Sequence, residues 1–475
     1  MTFKLETNLK SLVDSVQDYC FTNGLIYFRP SENINERSND LANQLPVTLF
    51  PTIYPRSEFQ YALSIQTEFQ KMIFQISQDY NFLKEALKTV IQVDDFTKRL
   101  WNIYDQVHTE GITQPITLGI IRNDYMLDQN KSIQTSPTQL SQIEINTISC
   151  SFGAATSKVS NLHAHCLRIT DNTEFLSQLA HNDNLEILAK GLVNAWQMYE
   201  NENSILVFLV IDLERNIGDQ RLLEYECLKL NSKLKILRYT IQDFAERGQI
   251  NSDKTLLIDG SEVGLVYFRA CYDPNHFKSD QDWNARLLIE RSKAIKCPNI
   301  QAHLVGAKIV QTTLFEPGVV EKFVQDLSVA QKLRATFVDL YSITKENLSQ
   351  IIDLIDEKSD EFVLKPQREG GGHNIYKEDI RKFVDSLSDK SDLMGYILMK
   401  LVKPYTNENY VVRTGEQLAK KSLISELGIF GFYISNGDKI IQNQTGGYLL
   451  RTKSFDVNEG GVATGFSALD SLCLI

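Results

Sequence analysis

Residues 362–376, FVLKPQREGGGHNIY, constrain this chain more than any other stretch. The apolar run Phe362-Val363-Leu364 reads as a buried strand ending at Lys365, and Arg368, Glu369 and the consecutive glycines Gly370, Gly371 and Gly372 follow. Ordering three glycines costs more backbone entropy than ordering any other tripeptide, so such a run belongs where backbone must approach something closely. Backbone N–H groups there can cradle phosphates, with Lys365 to neutralise them and Glu369 to hold a magnesium ion. A flexible surface turn between a strand and a helix is the other reading of the same residues.

The rest of the chain allows a large α/β protein. Its 475 residues, 43% hydrophobic and 23% charged, have ordinary globular composition and room for two to four domains or lobes. A net charge of −11 argues against a nucleic-acid or anionic-membrane surface, though not against a locally basic pocket. Near the amino terminus, Leu5, Leu9, Leu12, Val13 and Val16 fall at helical spacing with no apolar signal core. No apolar stretch is long enough to span a bilayer, and Cys473 is one position too late for prenylation. Seven scattered cysteines without a CxxC pair suit a reduced, cytoplasmic chain. His163, His165 and Cys166 lack a second ligand cluster at zinc spacing and read as ordinary helix or loop.

Along the chain, residues 31–45 read as a loop or helix start, and residues 59–107 carry helical-period segments. Strand-like runs follow at 116–121, before Arg122, and at 142–148, before Ser149. Residues 204–272 alternate strand and helix patterns, which predicts a mainly parallel sheet. Ligands gather at the carboxyl ends of such strands, where Glu214, Arg269 and Tyr272 fall. Residues 283–330 read as helical. Residues 361–415 read as strand, glycine loop, helix and strand, and residues 422–475 as antiparallel strands around loops at Gly446-Gly447 and Gly460-Gly461.

The common signatures of phosphate-loop NTPases, dehydrogenases, zinc proteases and serine hydrolases are missing. Carboxylates and cations at strand ends are present instead. Glu144 and Asn146 alternate in QIEINTIS and share a strand face, an oxygen pair that suits magnesium, or else a solvated face. Arg451 and Lys453 alternate likewise and need an anion between or before them, unless they belong to a solvated edge.

QIEINTISCSFG, DLERNIGDQR, VYFRACY, ARLLIERSKAIKCP, FVLKPQREGGGHNIY, ISELGIFGFY and LLRTK followed by GGVATG together resemble the eukaryotic-type glutathione synthetase family, in order and spacing, from about residue 110 onwards. The resemblance implies an α/β ATP-grasp fold with an inserted parallel-sheet substrate domain and a glycine-rich lid. It implies a main body of residues 1–203 and 304–475, a substrate-binding domain of 204–303 and a lid region of 340–415. It further implies a homodimer, two magnesium ions, and ATP-dependent ligation of γ-glutamylcysteine with glycine through an acyl phosphate. Glu144, Asn146 and Glu369 match magnesium ligands. Lys308, Lys365, Gly370, Gly371, Gly372, Asn374, Tyr376, Met399, Glu426 and Lys453 match nucleotide contacts. Ser149, Ser151, Glu214, Asn216, Gln220, Arg269 and Tyr272 match γ-glutamylcysteine contacts, and Arg122 and Arg451 the arginines at the reacting carboxylate. Val462 and Ala463 match a loop pair that goes with glycine as acceptor.

Two segments depart from the family's frequent pattern: Met399-Lys400-Leu401 stands where Met-Glu-Lys is common, and Gly372-His373-Asn374 where Gly-Asn-Asn is common. Another acceptor amino acid, or a non-catalytic nucleotide-binding homologue, are the competing readings. The second expects lost magnesium ligands or phosphate lysines, and all of these are retained.

Overall fold

The computed structural model describes every residue except 1–2, 6–7, 31–36, 133, 135, 459 and 463–464. Its centre is a mixed sheet of 13 strands. Four long or central strands lie side by side in antiparallel pairing: Leu140–Asn146, Ile116–Leu127, Lys420–Asn436 and Lys439–Ser454. The carboxyl half of Ile116–Leu127 pairs with Leu140–Asn146, while Thr117, in its amino half, pairs in parallel with Lys296. Through that second contact the sheet continues into parallel strands Ile295–Cys297, Ser261–Phe268, Ile205–Leu209 and Lys235–Tyr239. The parallel unit expected from residues 204–272 is therefore part of the same sheet.

Period-2 alternation decides which side chains face which layer. Ile121, Tyr125, Leu427 and Ile429 pack into one core, with the helices Arg56–Gln78 and Asp95–Glu110. Ile120, Phe430 and Phe432 pack into another on the opposite face, with Gly153–Ile169 and Asn184–Gln197. The face that buries Ile120 and Phe430 becomes charged towards one end, at Arg122 and Asp124 on one strand and, past Gly428, at Glu426 on its neighbour, and this change of character builds the site.

A separate four-stranded antiparallel sheet has the order Leu340–Ser342, Tyr396–Lys400, Phe362–Pro366, Ile375–Tyr376. It has its own core, in which Phe362, Leu364 and Leu398 meet Ile351, Ile355, Ile380 and Val384.

Several expectations are corrected. Arg37–Gln44 is a strand paired with Ile26–Pro30, although its polar residues show no apolar alternation. Ile295–Cys297 is a short strand within the stretch read as helical. Gly446-Gly447 is not a loop but lies inside Lys439–Ser454. The glycine there serves a close approach, since a Cβ on Gly447 would come 2.0 Å from Asn182 Oδ1. Leu5 lies outside the first helix, which spans Leu9–Thr22. His163 lies in Gly153–Ile169 as expected, bonded to Ser471 Oγ (2.6 Å) and Thr48 O (2.8 Å). No helix among the described residues is long and apolar enough to cross a membrane.

Candidate active site

A cavity of about 980 Å³ separates the two sheets. Lys365, Gly371, Asn374, Tyr376 and Met399 line it from the smaller sheet, and Glu144, Glu426, Arg451 and Lys453 from the larger one. Apolar side chains of Ile143, Val363 and Ile424 complete the walls.

Gly370, Gly371 and Gly372 all adopt left-handed backbone, at φ +95°, +72° and +82°. Side chains resist that region, so the run needs glycine at each step. Space adds a second demand: a Cβ on Gly370 would lie 3.3 Å from the Tyr272 ring, and one on Gly371 3.2 Å from Gly460 O. The two glycine loops therefore meet. Arg368, just before them, points elsewhere. Its Nη2 donates to Asp94 Oδ1 (2.6 Å), and its guanidinium lies over Phe96. It anchors the loop base to the helix Asp95–Glu110 and does not line the cavity.

The larger sheet presents its charges in register. Arg122 stands opposite Asn146, Asp124 opposite Glu144, and Glu426 opposite Arg451. Arg122 Nε and Nη2 donate to the two Asp124 oxygens at 2.7 and 2.8 Å. Arg451 Nη2 donates to Asp124 Oδ2 (3.0 Å) and to Glu426 Oε1. The anion that Arg451 needs is thus supplied by the protein. Asp124 is the hub of this network and was missed in the sequence, although Arg122 and Asp124 alternate just as Glu144 and Asn146 do. Burial opposes the charge on Arg122, but Asp124 outweighs it and holds the guanidinium protonated.

Room for the hub comes from Gly428, whose Cβ would lie 2.6 Å from Asp124 Oδ1 and 2.8 Å from Arg122 Cδ. Gly428→Ala should therefore push the pair out of place, at a cost of about 1–3 kcal/mol in stability. Urea unfolding checks this, and an unchanged midpoint would mean that the sheet yields instead.

Lys308 Nζ bridges two carboxylates, Glu144 and, at 3.1 Å, Glu369. Burial disfavours its charge, and the two carboxylates more than restore it. Burial pushes Glu369 upward and neighbouring Glu144 adds to this. Burial acts the same way on Glu144, but Lys308 and Lys365 overcome it and hold that carboxyl low. Lys365 donates to Ile143 O (3.1 Å), and burial lowers its pKa.

The donor set suits a magnesium ion that shares its shell with phosphates and water. Asn146 Nδ2 donates to Asp124 Oδ2 (3.0 Å) and Arg122 O (3.3 Å), which turns the amide oxygen away from Asp124. That oxygen and the carboxylates of Glu144 and Glu369 are hard ligands, and magnesium usually takes only one or two carboxylates from protein. Among the described residues, no group of three or more His, Cys, Asp or Glu could hold a metal without such help.

A second group of predicted residues gathers beyond Arg122, whose Nη1 contacts Ser151 O at 3.5 Å. Arg269 donates to Ser151 Oγ (2.9 Å) and Cys150 O (2.8 Å), and Ser149 Oγ to Phe268 O (3.0 Å). Gln220 donates to Glu214, which also accepts from Asn216 N (2.8 Å). Tyr272 joins this group to the glycine loop. Asp219 was not foreseen, yet it accepts from Phe152, Ala154 and Ala155 N–H groups at 2.8–3.0 Å and lies 3.7 Å from Arg269. Ser149 and Phe152 have positive φ, and Asp219 fixes the turn in which they lie. Val462 is buried, and Ala463 lies outside the described residues.

Two sheets facing across a cavity, with a left-handed glycine loop over paired lysines and carboxylates, define the ATP-grasp class. A family model described as the eukaryotic glutathione synthase ATP-binding domain matches residues 6–474. The chain is 40% identical to human glutathione synthetase, covering 91% of each chain. It is 38% identical to the Xenopus laevis enzyme of that name, covering 98% of this chain and 97% of the relative. The glutathione synthetase of Dictyostelium discoideum is also 38% identical, over 98% and 99% of the two chains. A solved glutathione synthetase-like effector from Globodera pallida shares the fold, with a TM-score of 0.77, 23% identity and coverage of 99% and 98%. The chain belongs to the eukaryotic glutathione synthetase family, as its motifs indicate, and the family model marks it as ATP-binding.

Proposed function

We propose that this chain joins γ-glutamylcysteine to glycine at the expense of ATP, releasing ADP and phosphate. The observation that carries the reading is the convergence of Lys365, Glu144 and the left-handed Gly371 on one cavity, with Lys308 tying Glu144 to Glu369 behind it.

A carboxylate is a poor electrophile. Transfer of the ATP γ-phosphoryl group to the cysteinyl carboxylate gives an acyl phosphate and ADP. The glycine amine then attacks the acyl carbon, phosphate leaves, and the amine loses a proton. No protein nucleophile is needed, and all seven cysteines are buried. Lys308 and Lys365 hold the ATP phosphates, and Gly370, Gly371 and Gly372 offer backbone to them. Asn374, Tyr376, Met399, Glu426 and Lys453 hold the rest of the nucleotide. Arg122 lies between the hub and Ser151, and this position supports a role for it and Arg451 at the reacting carboxylate. Ser149, Ser151, Glu214, Asn216, Gln220, Arg269 and Tyr272 hold γ-glutamylcysteine, and the loop of Val462 and Ala463 admits glycine. Glu144, Asn146 and Glu369 would hold magnesium, which when bound offsets charge on the transferred phosphoryl group. Meeting glycine loops form a lid that keeps water from the acyl phosphate.

The same reading takes residues 204–303 as the substrate-binding domain and residues 1–203 and 304–475 as the main body, within which 340–415 is the lid region. It includes a homodimer, two magnesium ions and a cytoplasmic setting.

Phosphate release with ATP, magnesium and γ-glutamylcysteine, with and without glycine, tests the reaction when the product is weighed by mass spectrometry. Glycine-dependent release with glutathione appearing is expected. Release that requires another amine would overturn the substrate, and no release the activity.

A further inference from the structure

Lys308 opens a helix of only 7 residues, Lys308–Leu314. So short a helix does not hold itself in place, because nucleation is unfavourable and its first-turn N–H groups lack internal acceptors. The residue at its N-cap, Ala307, has no side-chain acceptor to offer. Gln367 supplies one from a distant segment: its Oε1 accepts from Ile309 N–H at 3.1 Å. Gln367 lies between Lys365 and Glu369, so this bond ties the helix to the segment that carries both.

A second glutamine ties the same helix the other way. Gln311 Oε1 accepts from Ile145 N–H (3.0 Å), and its Nε2 donates to Ile145 O (3.0 Å) and Gly306 O (2.9 Å). Ile145 lies between Glu144 and Asn146, on a strand that pairs, among the described residues, only with Ile116–Leu127. On the open edge of that strand the Gln311 amide does what a peptide group of another strand would do. Both glutamines are buried, at 6% and 5% exposure, and neither lines the large cavity.

We propose that Gln311 and Gln367 are positioning residues that set Lys308 against Glu144 and Glu369, and so fix its place at the ATP phosphates. The proposal rests on the function given above, in which Lys308 meets those phosphates. A long, flexible lysine side chain meets its two carboxylates accurately when its backbone is also held, and a displacement of about 1 Å can lower a rate about 100-fold.

Gln311→Met and Gln367→Met keep side-chain length and remove the amide. Each should lower kcat by at least about 10-fold, with the KM for γ-glutamylcysteine moving less than about 3-fold. In the nucleotide-free protein, backbone hydrogen exchange should rise at 308–314 in both variants, and also at 144–146 in Gln311→Met. Added to Lys308→Met, either change should alter the residual rate less than about 2-fold, because its effect passes through Lys308. A folded variant with parental kcat, or one as damaging without Lys308 as with it, would overturn the proposal. Should Gln311→Met fail to fold, Gln367→Met, which loses a single protein hydrogen bond, decides alone. An inert parent protein would remove the functional reading itself, which is a distinct result.

Discussion

Replacing Asp124 by alanine should cost the folded protein about 3–5 kcal/mol, the range for breaking a buried ion pair by deleting one partner. Asp124 is fully buried and accepts from Arg122, Arg451 and Asn146 at once. Arg122 is 6% exposed and has no other carboxylate bonded to it among the described residues. Its charge would stay in the interior without compensation. Proteins of this kind have only about 5–15 kcal/mol in hand, so the loss should be visible in urea unfolding and in soluble yield. Asp124→Asn keeps the shape and one acceptor and should lie between parent and alanine. Activity should fall in both, since Arg122 and Arg451 lose the group that aims them. A midpoint shift worth less than about 1 kcal/mol for the alanine variant would show that Arg122 finds water or another partner, and that the hub is dispensable.

How far such a hub can be read from sequence depends on the range of the interactions that make it. Glu144 and Asn146 were legible as a face because a strand repeats every two residues. Arg122 and Asp124 obey the same rule, so Asp124 was open to the same reasoning, but alternation alone does not reveal that the pair is buried against Arg451 and Asn146. Gly428 is different. Its role depends on two side chains from a strand some 300 residues earlier, and nothing in ISELGIFGFY declares that. Lys308 came from family resemblance alone, for a 7-residue helix carries no periodicity to read. Gln311 and Gln367 are likewise silent in sequence, because an amide that imitates a peptide group is defined by its neighbour across the fold. The strand at Arg37–Gln44 failed for a local reason: SNDLANQ has weak strand preference, and its pairing with Ile26–Pro30 overrides that. Arg368 looked, by position, like part of the phosphate loop, but its partner Asp94 lies 274 residues away.

Glu369→Gln should separate stability from activity. The carboxylate is mostly but not fully buried beside Glu144, with 15% of the side chain exposed, and desolvation together with that neighbour raises its pKa. Only Lys308 compensates it through a direct ion pair among the described residues. A neutral amide of the same shape relieves this like-charge contact, and Lys308 keeps Glu144. Thermal stability should therefore hold or rise slightly. The reaction should fare worse, since a preorganised charge at a phosphoryl-transfer site is worth at least about 2 kcal/mol, or about 30-fold in rate. If Glu369 helps to hold magnesium, the increase in nucleotide affinity on adding magnesium should also shrink, which a fluorescence titration measures without turnover. Sites arranged for catalysis keep such locally unfavourable charges, and removing them commonly stabilises the fold while it disables the reaction. Near-parental turnover at saturating magnesium would remove Glu369 from the metal site. A large loss of stability with little loss of rate would recast it as a structural partner of Lys308.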